Sequence, residues 1–190
     1  MKDKFKPISI IHKYYVANNF AEKILINHSR LVTIRALKIA RYLQMQGKQP
    51  NIKFIAEAAM LHDIGMIATN TPDLGCNGDV PYLQHGIKGK EILLKEGLPE
   101  HARVCERHIG VGLTATEIEQ HNLPLPIADV NPETLEEQII CYADLFYSKS
   151  ADNNSPAKTP AEVRAKLRKY GNNKITIFDR WLNKFEPHLR

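Results

Sequence analysis

Apolar residues recur at the three-and-four spacing of a helix along almost the whole chain, and no run alternates at period two over a length that makes a convincing strand. Ile24, Leu31, Ile34, Leu37 and Leu43 mark one long segment, stopped by Gly47 and Pro50, so a helix is expected over 20–46. A shorter one precedes it at 8–18. Asn51 can cap a third through Phe54, Ile55, Ala58 and Leu61, with Gly65 reading as its stop. Further helices are expected over 83–96, 99–108, 114–121, 132–149, 160–170 and 174–186. Thr114 with Glu117, and Thr159 with Glu162, fit the reciprocal capping pattern, the second with Pro160 at the first helical position. Lys174 to Phe178 is a weak strand candidate. Ile67 to Pro81 carries Pro, Gly, Asn, Asp and Thr over a stretch long enough to suggest a lid. The fold class expected is all-α.

The chain has 190 residues of which 43% are apolar, enough for a single domain over 1–190 that buries roughly two-thirds of its unfolded surface. Its core is expected over about 20–150, with a carboxy-terminal helical pair at about 159–188 set off by a loop from Ser150 to Pro160. Apolar runs such as Ala58 to Leu61 fall well short of the ~20 residues that span a bilayer, so no membrane partner is expected. The amino-terminal residues lack the apolar stretch and small-residue cleavage site of a signal peptide. Cys76, Cys105 and Cys141, in no Cys-x-x-Cys pairing, point to a reducing, cytoplasmic compartment. Lys and Arg exceed Asp and Glu by 26 to 21, a net charge of +5 that suits an anionic partner. The surplus lies in the first 13 residues and from Lys158 to Lys174. It is not interleaved with aromatic residues and reads as solvated surface, so no nucleic-acid partner is expected.

The chemistry is concentrated in histidines and particular aspartates. His28 lies on the second expected helix, His62-Asp63 ends the third, His85 starts the next, His108 ends the one after, and Asp144 lies on a later helix. A lone helical histidine is more often a satisfied core or surface residue than a ligand. The adjacent His62-Asp63 pair changes that, because neighbours at a helix end can turn an imidazole and a carboxylate toward one cation. Four imidazoles and two carboxylates suit Fe, Mn, Co, Ni or Zn better than Ca, and two metals better than one. Cys105 with His108, and Cys141 with Asp144, stand three apart and could offer thiolates, though buried inert cysteine is the better reading. His101 could share the face of His108, while His12, His121 and His188 read as surface. Lys88, Arg107, Arg30 and Lys149 lie beside these residues in sequence and are candidates to bind an anionic substrate.

The ordered pattern His28, His62-Asp63, His85, His108, Asp144 resembles the HD-domain superfamily of metal-dependent phosphohydrolases, over about residues 20–150. The tetrapeptide His62-Asp63-Ile64-Gly65 is similar to the HDIG variant of its signature. The resemblance implies an all-α HD-domain helical bundle in which His28, His62, Asp63 and Asp144 hold one divalent transition metal. His85 and His108 would then hold a second, with Asp63 bridging the two and so the catalytic centre. Iron or manganese is expected first, with zinc, cobalt and nickel open. Gly86 and Gly89 would let the helix bearing His85 approach its neighbour. Such a pair of cations lowers the pKa of a water for attack on phosphorus, with no nucleophilic Ser or Cys required. The implied substrate is a small anionic phosphate-containing molecule, a nucleotide or related phosphate ester. The chain lacks the Gly-Tyr-Pro signature of one class of cyclic dinucleotide phosphodiesterases. Two alternatives share the ligand set: a mixed-valence di-iron oxygenase of HD fold, and a non-catalytic metal- or nucleotide-binding regulatory module.

Overall fold

In the computed structural model, which describes residues 6–149 and 156–189, helix α2 (Phe20–Met45) is the spine. It starts where the Asn19 side chain accepts the Glu22 amide, satisfying a donor that the first turn leaves without an intrahelical partner. Helix α1 (Pro7–Tyr14) lies before it, and α3 (Ile52–Leu61) packs along it after the Asn51 cap. Then follow α4 (His85–Lys95), α5 (Pro99–Arg107), α6 (Ala115–Gln120) and α7 (Leu135–Asp144). The final pair is α8 (Pro160–Arg168) and α9 (Asn172–Phe185). The all-α expectation is met, with one two-stranded exception: β1 (Asn70–Thr71) pairs antiparallel with β2 (Cys76–Asn77).

Two apolar clusters fill the interior. One joins the amino-terminal half of α2, through Ile24 and Leu25, to Ile11, Leu61, Ile64, Leu93 and Cys105. The other joins the later half of α2, through Val32, Ala36 and Ile39, to α3, α7, α8 and α9, with Tyr142, Phe146, Phe178 and Phe185 fully buried. His28 lies between Leu25 of the first cluster and Val32 of the second. His62 directly follows Leu61 of the first and lies three residues past Ala59 of the second.

Several expectations are corrected. Lys174 to Phe178 is helix, not strand: Lys174, Phe178, Trp181, Leu182 and Phe185 are its buried residues, which is helical spacing on one face. Lys174 is therefore not solvated surface, and its Nζ donates to Gly112 O at 2.8 Å and reaches Glu117 Oε2 at 2.7 Å. The stretch after Ile67 is not a structureless lid. It opens in a 3-10 turn (Ile64–Ala68) and folds into the β1–β2 hairpin, where Gly75 takes φ +73°. Helix α7 is shorter than 132–149 at both ends. Thr134 and Glu137 form a capping box that starts it at Leu135, and it ends at Asp144. Gly65 is not a helix stop. A Cβ there would lie 2.1 Å from both Gly89 N and His85 O, so its role is to let α4 close onto the turn that follows Asp63. Facing α5, a Cβ on Gly86 would lie 2.6 Å from Cys105 O, and one on Gly89 would lie 3.1 Å from the Cys105 side chain. Of the expected loop from Ser150 to Pro160, residues 150–155 lie outside those described.

Candidate metal centre

Three helix ends converge on Asp63: His62 is the C-cap of α3, His108 the C-cap of α5, and Asp144 the last residue of α7. The carboxy-terminal end of a helix is its negative pole, so the convergence favours a cation. It also sets the histidine chemistry. The last carbonyls of a helix have no intrahelical donor, and each ring satisfies one. His62 Nδ1–H donates to Ala59 O at 2.7 Å and His108 Nδ1–H to Cys105 O at 2.7 Å. His85, which caps a short 3-10 turn (Tyr82–Gln84), donates from Nδ1 to Tyr82 O at 2.6 Å. A carbonyl oxygen only accepts, so in a neutral ring the proton is on Nδ1 and the Nε2 lone pair is turned inward.

What those lone pairs face is Asp63, fully buried at 0% exposure. Its Oδ2 lies 3.1 Å from His28 Nε2 and 3.2 Å from His62 Nε2. Its Oδ1 lies 3.2 Å from both His85 Nε2 and His108 Nε2. Asp144 Oδ1 completes the first group, at 2.9 Å from His28 Nε2 and 3.6 Å from His62 Nε2. The donors thus fall into two sets sharing Asp63: His28, His62, Asp63 and Asp144, and Asp63, His85 and His108.

These residues fit divalent metals on several grounds. Both Asp63 oxygens are buried without a hydrogen bond of good geometry. With Nδ1 of each ring committed to a carbonyl, the 3.0 Å contact between His85 Nε2 and His108 Nε2 brings two acceptors face to face. A cation or a shared proton relieves such a contact. The donor set, imidazole with carboxylate, is that of first-row transition metals.

Charge tells the same story. Burial disfavours the His62 imidazolium, but the Asp63 and Asp144 carboxylates outweigh it and raise its pKa to about 10. Burial likewise pushes the Asp63 carboxyl up, and Lys149 and His62 overcome it and hold it well below the usual range. Asp144 is lowered too, burial being outweighed by His28 and His62. His108 is lowered chiefly by burial. The pocket therefore attracts positive charge.

The six histidines and aspartates expected from the sequence come together, whereas the four basic candidates divide. Lys149 Nζ reaches Asp63 Oδ2 at 2.8 Å. Lys88 pairs with Glu91, Arg107 with Glu133 and Glu137, and Arg30 is exposed on α2. None of those three forms a described hydrogen bond or ion pair with the six: Arg107, adjacent to His108, points to a different face, and the Lys88 ammonium is taken up by Glu91. His101 is buried against Phe54 and lies 3.8 Å from Glu57, away from the centre. Cys105 and Cys141 are buried and direct their thiols to backbone carbonyls, Leu61 O and Gly110 O among them. His12, His121 and His188 are exposed.

Sequence reasoning missed Tyr82. Its ring stacks on His85 at 4.6 Å while its carbonyl orients that imidazole. The three carbonyl partners lie three residues before their histidines, a spacing that becomes a signal only once the helix ends are known.

The HD domain family model matches residues 25–148, and the chain belongs to the HD-domain family. It is 34% identical over 129 residues to a tRNA (cytidine(56)-2'-O)-methyltransferase of Picrophilus torridus, covering 67% of this chain and 33% of that one. It is 30% identical over 142 residues to the protein of the same name from Thermoplasma volcanium, covering 74% of this chain and 35% of that one. The chain thus spans about a third of the length of these two relatives. An uncharacterized protein of Methanocaldococcus jannaschii is 32% identical over 130 residues, with 68% of this chain and 69% of that one aligned. Among solved structures, the HD domain of the L. monocytogenes phosphodiesterase PgpH has a TM-score of 0.48 at 18% identity, covering 87% of this chain and 95% of that one. The expectation that no nucleic acid takes part finds no support in the methyltransferase names. No described helix is long and apolar enough to cross a membrane.

Proposed function

We propose that the chain, working as one domain over 1–190, is a metal-dependent phosphohydrolase acting on a small nucleotide or related phosphate ester. The observation that carries this reading is Asp63, whose two oxygens each face a different pair of inward-turned imidazole nitrogens. His28, His62, Asp63 and Asp144 would hold one divalent metal and Asp63, His85 and His108 the other, iron or manganese foremost. Two such ions supply a water of lowered pKa and positive charge against phosphate oxygens. Asp63 is the catalytic residue as the ligand common to both groups, and its burial keeps bulk water from competing for it. Membership of the HD-domain family supports the reading.

Lys149 is assigned to the substrate phosphate, being the one basic candidate at the centre; Lys88, Arg107 and Arg30 would at most steer an anion from outside. The net charge of +5 favours the approach of an anion, with a rate that falls as salt rises. The methyl transfer in two relatives' names is not assigned to this chain, which aligns with only a third of their length. The test is a panel of phosphomonoesters, phosphodiesters, nucleotides and tRNA with manganese- or iron-loaded protein, read for phosphate release and oxygen uptake together. Phosphate-ester hydrolysis without oxygen uptake is expected. Oxygen consumption with an organic substrate would overturn it in favour of the oxygenase, and full metal loading with no turnover in favour of a binding module.

A further inference from the structure

Lys149 lies five residues beyond Asp144, past the end of α7, and its side chain turns back into the centre. Its ammonium is 2.8 Å from Asp63 Oδ2 and 5.3 Å from the Tyr82 ring centroid, with the side chain only 12% exposed. Among the described residues it is the one lysine or arginine within ion-pair distance of the six candidate ligands. A fully buried carboxylate is costly unless something compensates its charge. The oxygen that Lys149 contacts is the one shared with His28 and His62, so the ammonium occupies the metal group that also includes Asp144.

We infer that Lys149 is an internal stand-in for a metal: its ammonium neutralises Asp63 in the ion-free protein, competes with the first cation for that carboxylate, and passes to the substrate phosphate once displaced. This rests on the proposed reading of the six residues as ligands. The physics is charge balance. Lys149 sets a positive charge 2.8 Å from an Asp63 oxygen, so an entering divalent ion meets a carboxylate already partly satisfied and a like charge beside it. Displaced from Asp63, the ammonium is left in a largely dry pocket with no other described carboxylate in ion-pair range, which makes an anion its natural partner. Phosphate binding and metal binding are then linked, and each must tighten the other by the same factor.

The experiment is a calorimetric titration of Mn2+ into chelator-stripped protein, with and without inorganic phosphate, for the wild type, Lys149→Met and Lys149→Arg. Lys149→Met should bind the first Mn2+ about tenfold more tightly than the wild type, within the span usual for coupled sites. Its ion-free form should melt at a lower temperature, because Asp63 has lost its counter-charge. Lys149→Arg, which keeps the charge, should bind Mn2+ much as the wild type does. Phosphate should tighten Mn2+ binding in the wild type and lose most of that effect in Lys149→Met. Equal or weaker Mn2+ binding by Lys149→Met overturns the inference. So does a wild type whose Mn2+ affinity ignores phosphate, a result that needs no variant to fold. A wild type that binds no Mn2+ at all would instead sink the ligand reading on which the inference stands.

Discussion

A histidine that caps a helix end has one nitrogen already committed, and His62 and His108 show what this does for a candidate metal centre. Each gives its Nδ1–H to a helix carbonyl and turns Nε2 toward Asp63, so orienting the ligand and capping the helix are the same hydrogen bond. Asp63 and His108 should therefore fail differently. Asp63→Asn should lose both metals and all hydrolysis, because the one residue common to both groups no longer carries charge. His108→Gln should retain the metal held by His28, His62, Asp63 and Asp144, and lose more activity than the about 10- to 100-fold typical of outer partners. Elemental analysis alongside phosphate release checks both, and an Asp63→Asn protein with full metal content would refute the bridging role. The six residues were legible in the chain because chemistry restricts which side chains can serve. Lys149 was legible only as one of four basic neighbours. Glu91 takes up the Lys88 ammonium, Glu133 and Glu137 take up the Arg107 guanidinium, and what lets Lys149 turn inward is that α7 has ended before it.

At the scale of elements, the approach of α4 is set by glycine rather than by a ligand. Gly65→Ala would drive a Cβ into Gly89 N and His85 O at 2.1 Å, both backbone atoms that cannot swing aside. Overpacking of this kind costs about 1–3 kcal/mol or more, and it should push His85 outward, weakening the second metal while sparing the first. Melting temperature and metal content measure the two effects separately. Helix α7, which carries Asp144, depends on Glu137 at its start. Burial pushes that carboxyl up, but the Glu133 amide, the Arg103 guanidinium and the Thr134 amide outweigh it and hold it below its ordinary value of 4.5. A depressed folded-state pKa gives stability that is complete above the unfolded value and is lost as pH falls through the folded one. Glu137→Gln should thus cost about 2 kcal/mol at neutral pH, and in urea titrations the variant and wild type should converge only as pH falls below 4.5 and through the depressed folded-state value. The Thr114 and Thr159 helix starts were readable from their capping pairs. The start of α9 was read two residues late, at 174 for Asn172, and with a strand as its rival, because Ile175, Thr176 and Ile177 carry strand propensity while the wider spacing of Phe178, Trp181, Leu182 and Phe185 marks the helix.

For the molecule as a whole, the centre lies at a seam between two apolar clusters, each built without any of the six candidate ligands. Folding should therefore not require metal, unlike a domain too small to build its own core. Chelation should lower the melting temperature through the lost binding energy, by the equivalent of about 4 kcal/mol if free metal stood at a thousand times its dissociation constant, while the far-UV helical signal persists. Loss of helix on chelation would make the metal structural. The central claim is that Asp63 joins two cations, and the most direct test is the metal content of the wild-type chain, measured by elemental analysis after purification without chelator and again after manganese or iron reconstitution. Two metals per chain are expected, and at most one after reconstitution would contradict the account.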